Sequence, residues 1–587
     1  MRRLTTSIIL AVLAALTLSS IDSKACSNVL VTKGASTDGS NIISYAADSH
    51  QLYGELYFRK AGFWKPGDMR RVDEWDSGKH LGYIPEAAMT YQRVGNMNEH
   101  QLIIAETTYG GRPELEDPKG IMDYGSLIYI ALERAKTARE AIKVVVDLAN
   151  TYGYYSSGES FSIADTEEVW VMDLIGKGPD NKGIVWVARR VPDGYICAHA
   201  NQARISTFPL NDPENCMYAP DVITFAREKG YFDGEDKDFS FCDAYAPLDF
   251  SGMRACEARA WSAFNILCDG KFTFEDENGN IVTKDSYDYI DYAMGYDKTK
   301  RFPLFVKPSR KISVKDVADV MRDHYEGTPM DMTQDIGAGG NALPYRWRPM
   351  GFKHEGKSYM NERAIATQQT GFWFVGQSRG WLPDTIGGVN WFGCDDAATS
   401  YLTPIYTTIN DVPECFRVGN GNMITYSPTS AFWVTNRVAN ACYKAYDMMA
   451  PTVRAAIDSW ENEMISAVAK ADEEALKMYN EAEKKPRKQI KRNDKAKKLV
   501  DPYASVREYL TDFSVGNAQK IFNKWVDLEV LLLVKYIDGD VKAQHEDGSF
   551  VTNEHTDCIP SGIKQPGYTA KWKEAVAKDH GSVIMEK

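Results

Sequence analysis

The chain has 587 residues, 44% of them hydrophobic, 12% aromatic and 25% charged, with 68 Lys and Arg against 81 Asp and Glu for a net charge of −13. That composition is too apolar and aromatic for a disordered protein, and the chain is too long for a disulfide-stapled miniprotein. Its acidity repels phosphate backbones and anionic lipid, which sets nucleic-acid and membrane-surface binding aside.

The first feature in chain order is a targeting pattern. Arg2 and Arg3 precede an apolar stretch, Ile8 to Leu18, that is too short to cross a bilayer, and Ser23-Lys24-Ala25 offers small residues to a signal peptidase. Residues 1–25 are therefore expected to be a signal peptide. The protein is then exported, periplasmic or extracellular, and its mature chain begins at Cys26. Ten cysteines, at 26, 197, 216, 242, 256, 268, 394, 415, 442 and 558, show neither a tight disulfide framework nor the C-x-x-C pairs of a zinc site. Most read as packing residues or isolated bridges, and their pairing cannot be deduced from sequence.

Cys26 differs from the others because cleavage would give it a free α-amino group. A free Cys is only a few per cent thiolate at neutral pH, and an α-amine with a pKa of about 7.7 to 8.0 can accept its proton there. Before cleavage that nitrogen is an amide and no base. Two other readings stay open: a lipid anchor on Cys26, although Asp22-Ser23-Lys24-Ala25 lacks the expected Leu, and a leader that merely ends beside an ordinary cysteine. Ser27 to Thr32 and Asn41 to Tyr45 are strand-like about a turn at Asp38-Gly39. A loop centred near Thr37 sets Cys26 opposite Asp48, and a tighter turn sets it opposite Gln51. Either register keeps Asp48 near the nucleophile, to hold the new ammonium or orient the amine, unless it merely ends a strand.

Here the chain resembles a known family. Cys26-Ser27-Asn28-Val29-Leu30-Val31, Thr37-Asp38-Gly39-Ser40 and Asp48-Ser49 look like the start of secreted dipeptidases in the N-terminal-nucleophile hydrolase superfamily, related to penicillin V acylase and bile salt hydrolase. Asn98-Glu99, Leu102 to Thr108, Arg134 to Ala141, Ser162 to Asp165, Glu168-Val169-Trp170, Ala200 to Ile205 and a weaker echo at Trp391 to Ser400 follow in order. The resemblance implies a four-layer αββα sandwich and a thiol nucleophile at Cys26. It also implies an oxyanion-binding amide at Asn201, otherwise a turn residue, and an active-site arginine at Arg254, otherwise a surface or structural one. Where acylase relatives carry Arg three residues before the Asp, this chain has Tyr45. His50 is then a candidate substrate-binding residue, together with Thr107.

The periodicity fits this α+β reading. Asp123 to Ala135 and Thr137 to Asn150 predict two helices, the second opened by the capping box Thr137-x-x-Glu140 with Ile142, Val145, Val146 and Leu148 on a buried stripe. Short β runs follow at Phe161 to Ala164, Val169 to Leu174, Ile184 to Val191 and Tyr195 to Ala200. Other motif matches fail on context. Gly351 to Ser358 fits a P-loop pattern but follows Arg348-Pro349, and Gly376 to Gly380 fits a serine elbow at Ser378 but meets Pro383. His199 reads as a strand residue, and Glu275 to Gly279 as a hairpin turn. From Ala431 helices dominate: Ala431 to Met449, a second run starting with Pro451 in its first turn, and Phe522 to Val534. Lys484 to Lys498 carries nine basic residues and one acid, the pattern of a solvated face.

The expected organisation is thus a signal peptide over 1–25, a catalytic region over 26–430 and a mostly helical region over 431–587. The expected activity is an exported cysteine-type dipeptidase that needs no metal or cofactor. Its partners are a small peptide substrate and the signal peptidase that matures it, with no nucleic acid, no membrane after leader removal and oligomerisation left open. An acylase or amidase of the penicillin V acylase or bile salt hydrolase type, and a non-catalytic surface-binding protein on a degenerate hydrolase scaffold, are the alternatives.

Overall fold

The computed structural model describes residues 26–484 and 501–586. The leader and the basic run beyond Lys484 lie outside the described residues. Ten of the strands matter for the site. They are β1 (Asn28–Val31), β2 (Asn41–Asp48), β3 (Ile103–Tyr109), β4 (Gly158–Ala164), β5 (Val169–Gly176), β6 (Ile184–Arg190), β7 (Ile196–His199), β8 (Thr370–Ser378), β9 (Gly388–Cys394) and β10 (Thr403–Tyr406). One seven-stranded sheet runs Phe305–Val306, β7, β1, β2, β8, β9, β10. An eight-stranded sheet runs Cys216–Tyr218, β6, β5, β4, β3 and then three two-residue strands, Met97–Asn98, Arg93–Val94 and Phe58–Arg59.

Every pairing in both sheets is antiparallel. The sheets face each other where β2 meets β3 and β4. All residues of β2, β5 and β8 are buried, so both faces of these strands are covered. Helices α1 (Tyr124–Arg134) and α2 (Ala138–Tyr152) cover the eight-stranded sheet, and α3 (Ala258–Leu267) and α4 (Val314–Val320) lie against β7, β2 and β8 of the other. Three longer helices, α5 (Ala431–Cys442), α6 (Tyr446–Lys484) and α7 (Ala504–Lys535), pack on β9 and β10, which shields the open edge of the seven-stranded sheet.

Local chemistry explains the helix ends. Asp123 accepts from the Ser126 N–H, and Thr137 accepts from the Glu140 N–H. The expected capping box is only half formed, because the Glu140 carboxylate accepts from Lys136 N–H, one residue before the cap. Ile142, Val145 and Leu148 are buried, while Val146 is half-buried at the margin of the stripe. The C-terminal helices break at residues 443–445, earlier than predicted, and Pro451 lies inside α6 rather than in its first turn. The N–H that proline lacks would have met the carbonyl of Asp447, an exposed residue, where water can take its place.

The first hairpin also corrects its register. Leu30 pairs with Ile43 and Ser27 with Ala46, which sets Cys26 opposite Ala47, one residue short of Asp48. The hairpin turn between Lys271–Glu275 and Ile281–Asp285 forms as expected. Gly351–His354 and Lys357–Met360 make an exposed hairpin in place of any phosphate loop. All ten cysteines are free thiols, nine buried or half-buried as packing residues and Cys558 exposed.

Candidate active site

Cys26 stands two residues before β1 and is 4% exposed. On one side β1 pairs with β7, Asn28 opposite His199, and two further residues bring Cys26 abreast of Asn201. Asn201 ends that strand in the left-handed region, with φ 54°, a conformation asparagine tolerates better than most residues. Its Nδ2 donates to the Thr108 carbonyl at 2.6 Å, and its Oδ1 accepts from Arg259 Nη2 at 2.9 Å. Since arginine only donates, the amide orientation is fixed and one Nδ2 hydrogen remains to be directed elsewhere.

Arg259 was not foreseen. It rises from α3, and its Nη1 donates to the Cys26 carbonyl at 2.6 Å and to Ser27 Oγ at 2.9 Å. One guanidinium therefore ties Cys26 to Asn201. Burial, with Arg363 nearby, pushes it down to about 10, which still leaves it charged at neutral pH. Arg254, the expected arginine, turns away: it pairs with Glu362 and donates to the Met294 carbonyl at 3.1 Å. The signal for Arg259 was its place in Ala258-Arg259-Ala260-Trp261, the one charged residue of a mostly apolar helix.

Asp48 closes β2 where its pairing with β8 shifts register. Its Oδ1 accepts from Thr370 Oγ1 at 2.6 Å and its Oδ2 from Arg363. Burial raises this carboxyl, and Arg363 and Thr370 pull it back. The backbone N–H of Asp48 is directed at the Cys26 sulfur. The positive charge missing at Tyr45 is thus supplied by Arg363, more than 300 residues downstream.

The opposite wall is acidic. Cys26 Sγ lies 3.3 Å from Glu106 Oε1 and 3.8 Å from Tyr45 Oη, and Tyr45 donates to the same Glu106 oxygen. Thr108 Oγ1 donates to Glu159 Oε2 at 3.0 Å. Glu159 also lies within hydrogen-bonding reach of Glu106. Burial raises the Glu106 carboxyl, and burial followed by the charges of Glu106 and Asp48 raises the Cys26 thiol well above its ordinary value. Next to these groups a cavity of about 460 Å³ reaches Thr108, Tyr124, Ser156 and Glu74. Tyr124 lies close enough to Cys26 and Glu106 for their charges to act on its phenol.

Two expected substrate contacts fall elsewhere. Thr107 is buried, and its hydroxyl meets His199 Nδ1 at 2.7 Å, because alternation along β3 turns it opposite to Glu106 and Thr108. His50 sits in the exposed turn after β2. His199 also meets Ser162 Oγ at 2.7 Å, and burial pushes it down to about 3, so it is a neutral strand histidine. Ser378 is buried at the end of β8, not raised on an elbow.

The family model for peptidase family C69 matches residues 65–459, about two thirds of the chain, and includes Glu106, Asn201, Arg259 and Arg363. This chain belongs to peptidase family C69. It is therefore a peptidase of the cysteine type. Among curated relatives, a probable dipeptidase of Latilactobacillus sakei is 25% identical over 476 residues, covering 77% of this chain and 89% of its own length. Dipeptidase A of Lactobacillus helveticus is 21% identical over 530 residues, 86% of this chain and 96% of its own. A probable dipeptidase of Salmonella dublin is 25% identical over 408 residues, 65% and 81% respectively. The family match begins after the first hairpin, so within this C69 peptidase the place of Cys26 rests on the geometry just described.

Proposed function

We propose that this C69 peptidase is an exported dipeptidase whose nucleophile is the Cys26 thiolate, unmasked when residues 1–25 are removed. The observation that carries this reading is the Arg259 guanidinium, which binds the Cys26 carbonyl and the Asn201 amide at once. It aligns a sulfur and an oxyanion donor from two different strands. Relatives named as dipeptidases support the substrate class.

In the uncleaved chain the Cys26 nitrogen is an amide, and a buried thiol beside two acids stays protonated. Cleavage turns that nitrogen into an amine, which accepts the thiol proton. The thiolate attacks the scissile carbonyl, and the free Nδ2 hydrogen of Asn201 donates to the developing oxyanion. The ammonium returns its proton to the departing amine, leaving a thioester on Cys26. Water, deprotonated by the same amine, then releases the second product and restores the thiol. Asp48, matched by Arg363, keeps its N–H on the sulfur and orients the new amine. No metal or cofactor takes part in these steps.

In the same reading the two sheets and the helices on their outer faces form the four-layer αββα sandwich. Residues 26–430 are then the catalytic region, and 431–587 a helical region braced on its edge. Mass spectrometry of the secreted protein before and after iodoacetamide tests the proposal. The expected result is an N-terminus at Cys26, one alkylated sulfur there, and loss of dipeptide hydrolysis. Full activity in a form retaining its leader, or in Cys26→Ala, would put the chemistry elsewhere.

A further inference from the structure

Among the described residues Glu106 has no counterion. It meets Cys26, Tyr45, Thr108 and Glu159, and none of these four carries positive charge. Asp48, the other acid beside the sulfur, is already matched by Arg363. Buried carboxylates persist when a cation or hydrogen bonds compensate them.

A dipeptide brings the missing charge to this spot. Its α-nitrogen is two bonds from the carbonyl carbon that the sulfur attacks, about 2.5 Å away by standard backbone dimensions. With sulfur and carbonyl carbon roughly 3 to 3.5 Å apart before attack, the substrate ammonium must lie within about 3 to 5 Å of the sulfur. Glu106 Oε1, 3.3 Å from Sγ, borders that shell. An ammonium–carboxylate hydrogen bond of about 2.7 to 2.9 Å therefore fits while the carbonyl faces the nucleophile. The adjoining cavity of about 460 Å³ at Thr108 and Tyr124 gives the first side chain room.

We infer that Glu106, backed by Glu159 and Thr108, binds the free α-ammonium of the substrate's N-terminal residue and restricts cleavage to peptides with an unblocked amine. The inference rests on Cys26 being the nucleophile. A neutral N-acyl group would leave Glu106 uncompensated, so the wall that favours a dipeptide rejects acylase substrates. Tyr45, donating to the same oxygen, holds the carboxylate in place and is a positioning residue.

The test compares the fastest-cleaved dipeptide of a panel with its α-hydroxy and N-acetyl analogues on the mature wild-type enzyme and on Glu106→Gln. Wild type is expected to prefer the free amine by about 100-fold or more in kcat/KM, because a site built for a polar group is left unpaired by the analogue lacking it. In Glu106→Gln that ratio is expected to fall at least tenfold, whatever the absolute rates. Wild type cleaving the α-hydroxy analogue within a few-fold of the dipeptide would overturn the inference without any variant. So would Glu106→Gln losing all substrates equally, which would assign Glu106 to the enzyme's own N-terminus. Burst release of the first product amine from wild type, absent in Cys26→Ala, is scored separately. If Cys26→Ala keeps its activity the underlying reading fails, whereas an intact burst with no amine preference sinks only the role of Glu106.

Discussion

Where α6 meets the seven-stranded sheet, Arg322 donates to both oxygens of Glu461, at 3.1 and 2.5 Å, and Arg379 pairs with Asp472. Beside Cys26, Glu106 and Glu159 lie buried among a thiol, a phenol and a hydroxyl. Both regions exclude water from ionisable groups, but the first matches every charge it names and the second leaves two acids together. Paired charges of the first kind fix how helices dock on a sheet. Clustered acids of the second kind cost stability and persist where a ligand or a proton transfer makes use of them.

The largest test of that contrast is Arg322→Met, which removes the bidentate partner of buried Glu461 and leaves it the Leu402 N–H and Lys315 at 3.8 Å. A loss of about 3 to 5 kcal/mol in unfolding free energy by urea titration is expected. A loss below about 1 kcal/mol would mean the pair does not hold α6 to the sheet. On the sulfur side the cost should appear in rate instead. Asn201→Ala is expected to lower kcat by about 10² to 10³, the range for one oxyanion donor, and an unchanged kcat in steady-state assays would remove it from the reaction.

His199 gives a third, intermediate case, a buried base kept neutral. Its folded pKa, about 3, lies below the ordinary 6.5, so as pH falls the unfolded chain takes up the proton first. The stability it contributes is fully present above pH 6.5 and is lost on going down toward pH 3. Between pH 7 and pH 5 the wild-type unfolding free energy should drop by about 2 kcal/mol relative to His199→Asn. The difference between the two proteins matters here, because Asp123 and Asp173, each raised to about 6 by burial, contribute with the opposite sign. Parallel pH curves for the two would show that His199 protonates freely in the fold. The smallest effect is expected for Glu106→Gln, whose unfolding midpoint should match or exceed wild type within about 1 kcal/mol, since no ion pair is broken. A clear destabilisation there would make the acidic wall structural and erase the contrast.

Much of the fold could be read in advance. The paired helices after residue 123, the strands from 158 to 199 and the C-terminal helices follow from apolar spacing and caps, which act over one or two turns. What escaped was of longer range. The hairpin register slipped by one residue, since nothing local distinguishes the loop geometries around Asp38. The resemblance pointed to Arg254, and motif position carries no information about which helical face meets Cys26, where Arg259 lies. Alternation puts Thr107 and Glu106 on opposite faces of β3 without saying which of them looks at Cys26. Arg363, which matches Asp48, sits in no motif at all.

The sequence by itself determined the parts whose physics is local. A leader-like segment ends just before Cys26, and amphipathic stripes and capping residues set the helices. Only the tertiary structure decided which charges stand beside the sulfur. Arg259, Arg363, Glu106 and Glu159 come from four distant segments, and the Coulomb and desolvation energies that govern a buried thiol depend on separations of a few ångströms that no spacing along the chain encodes.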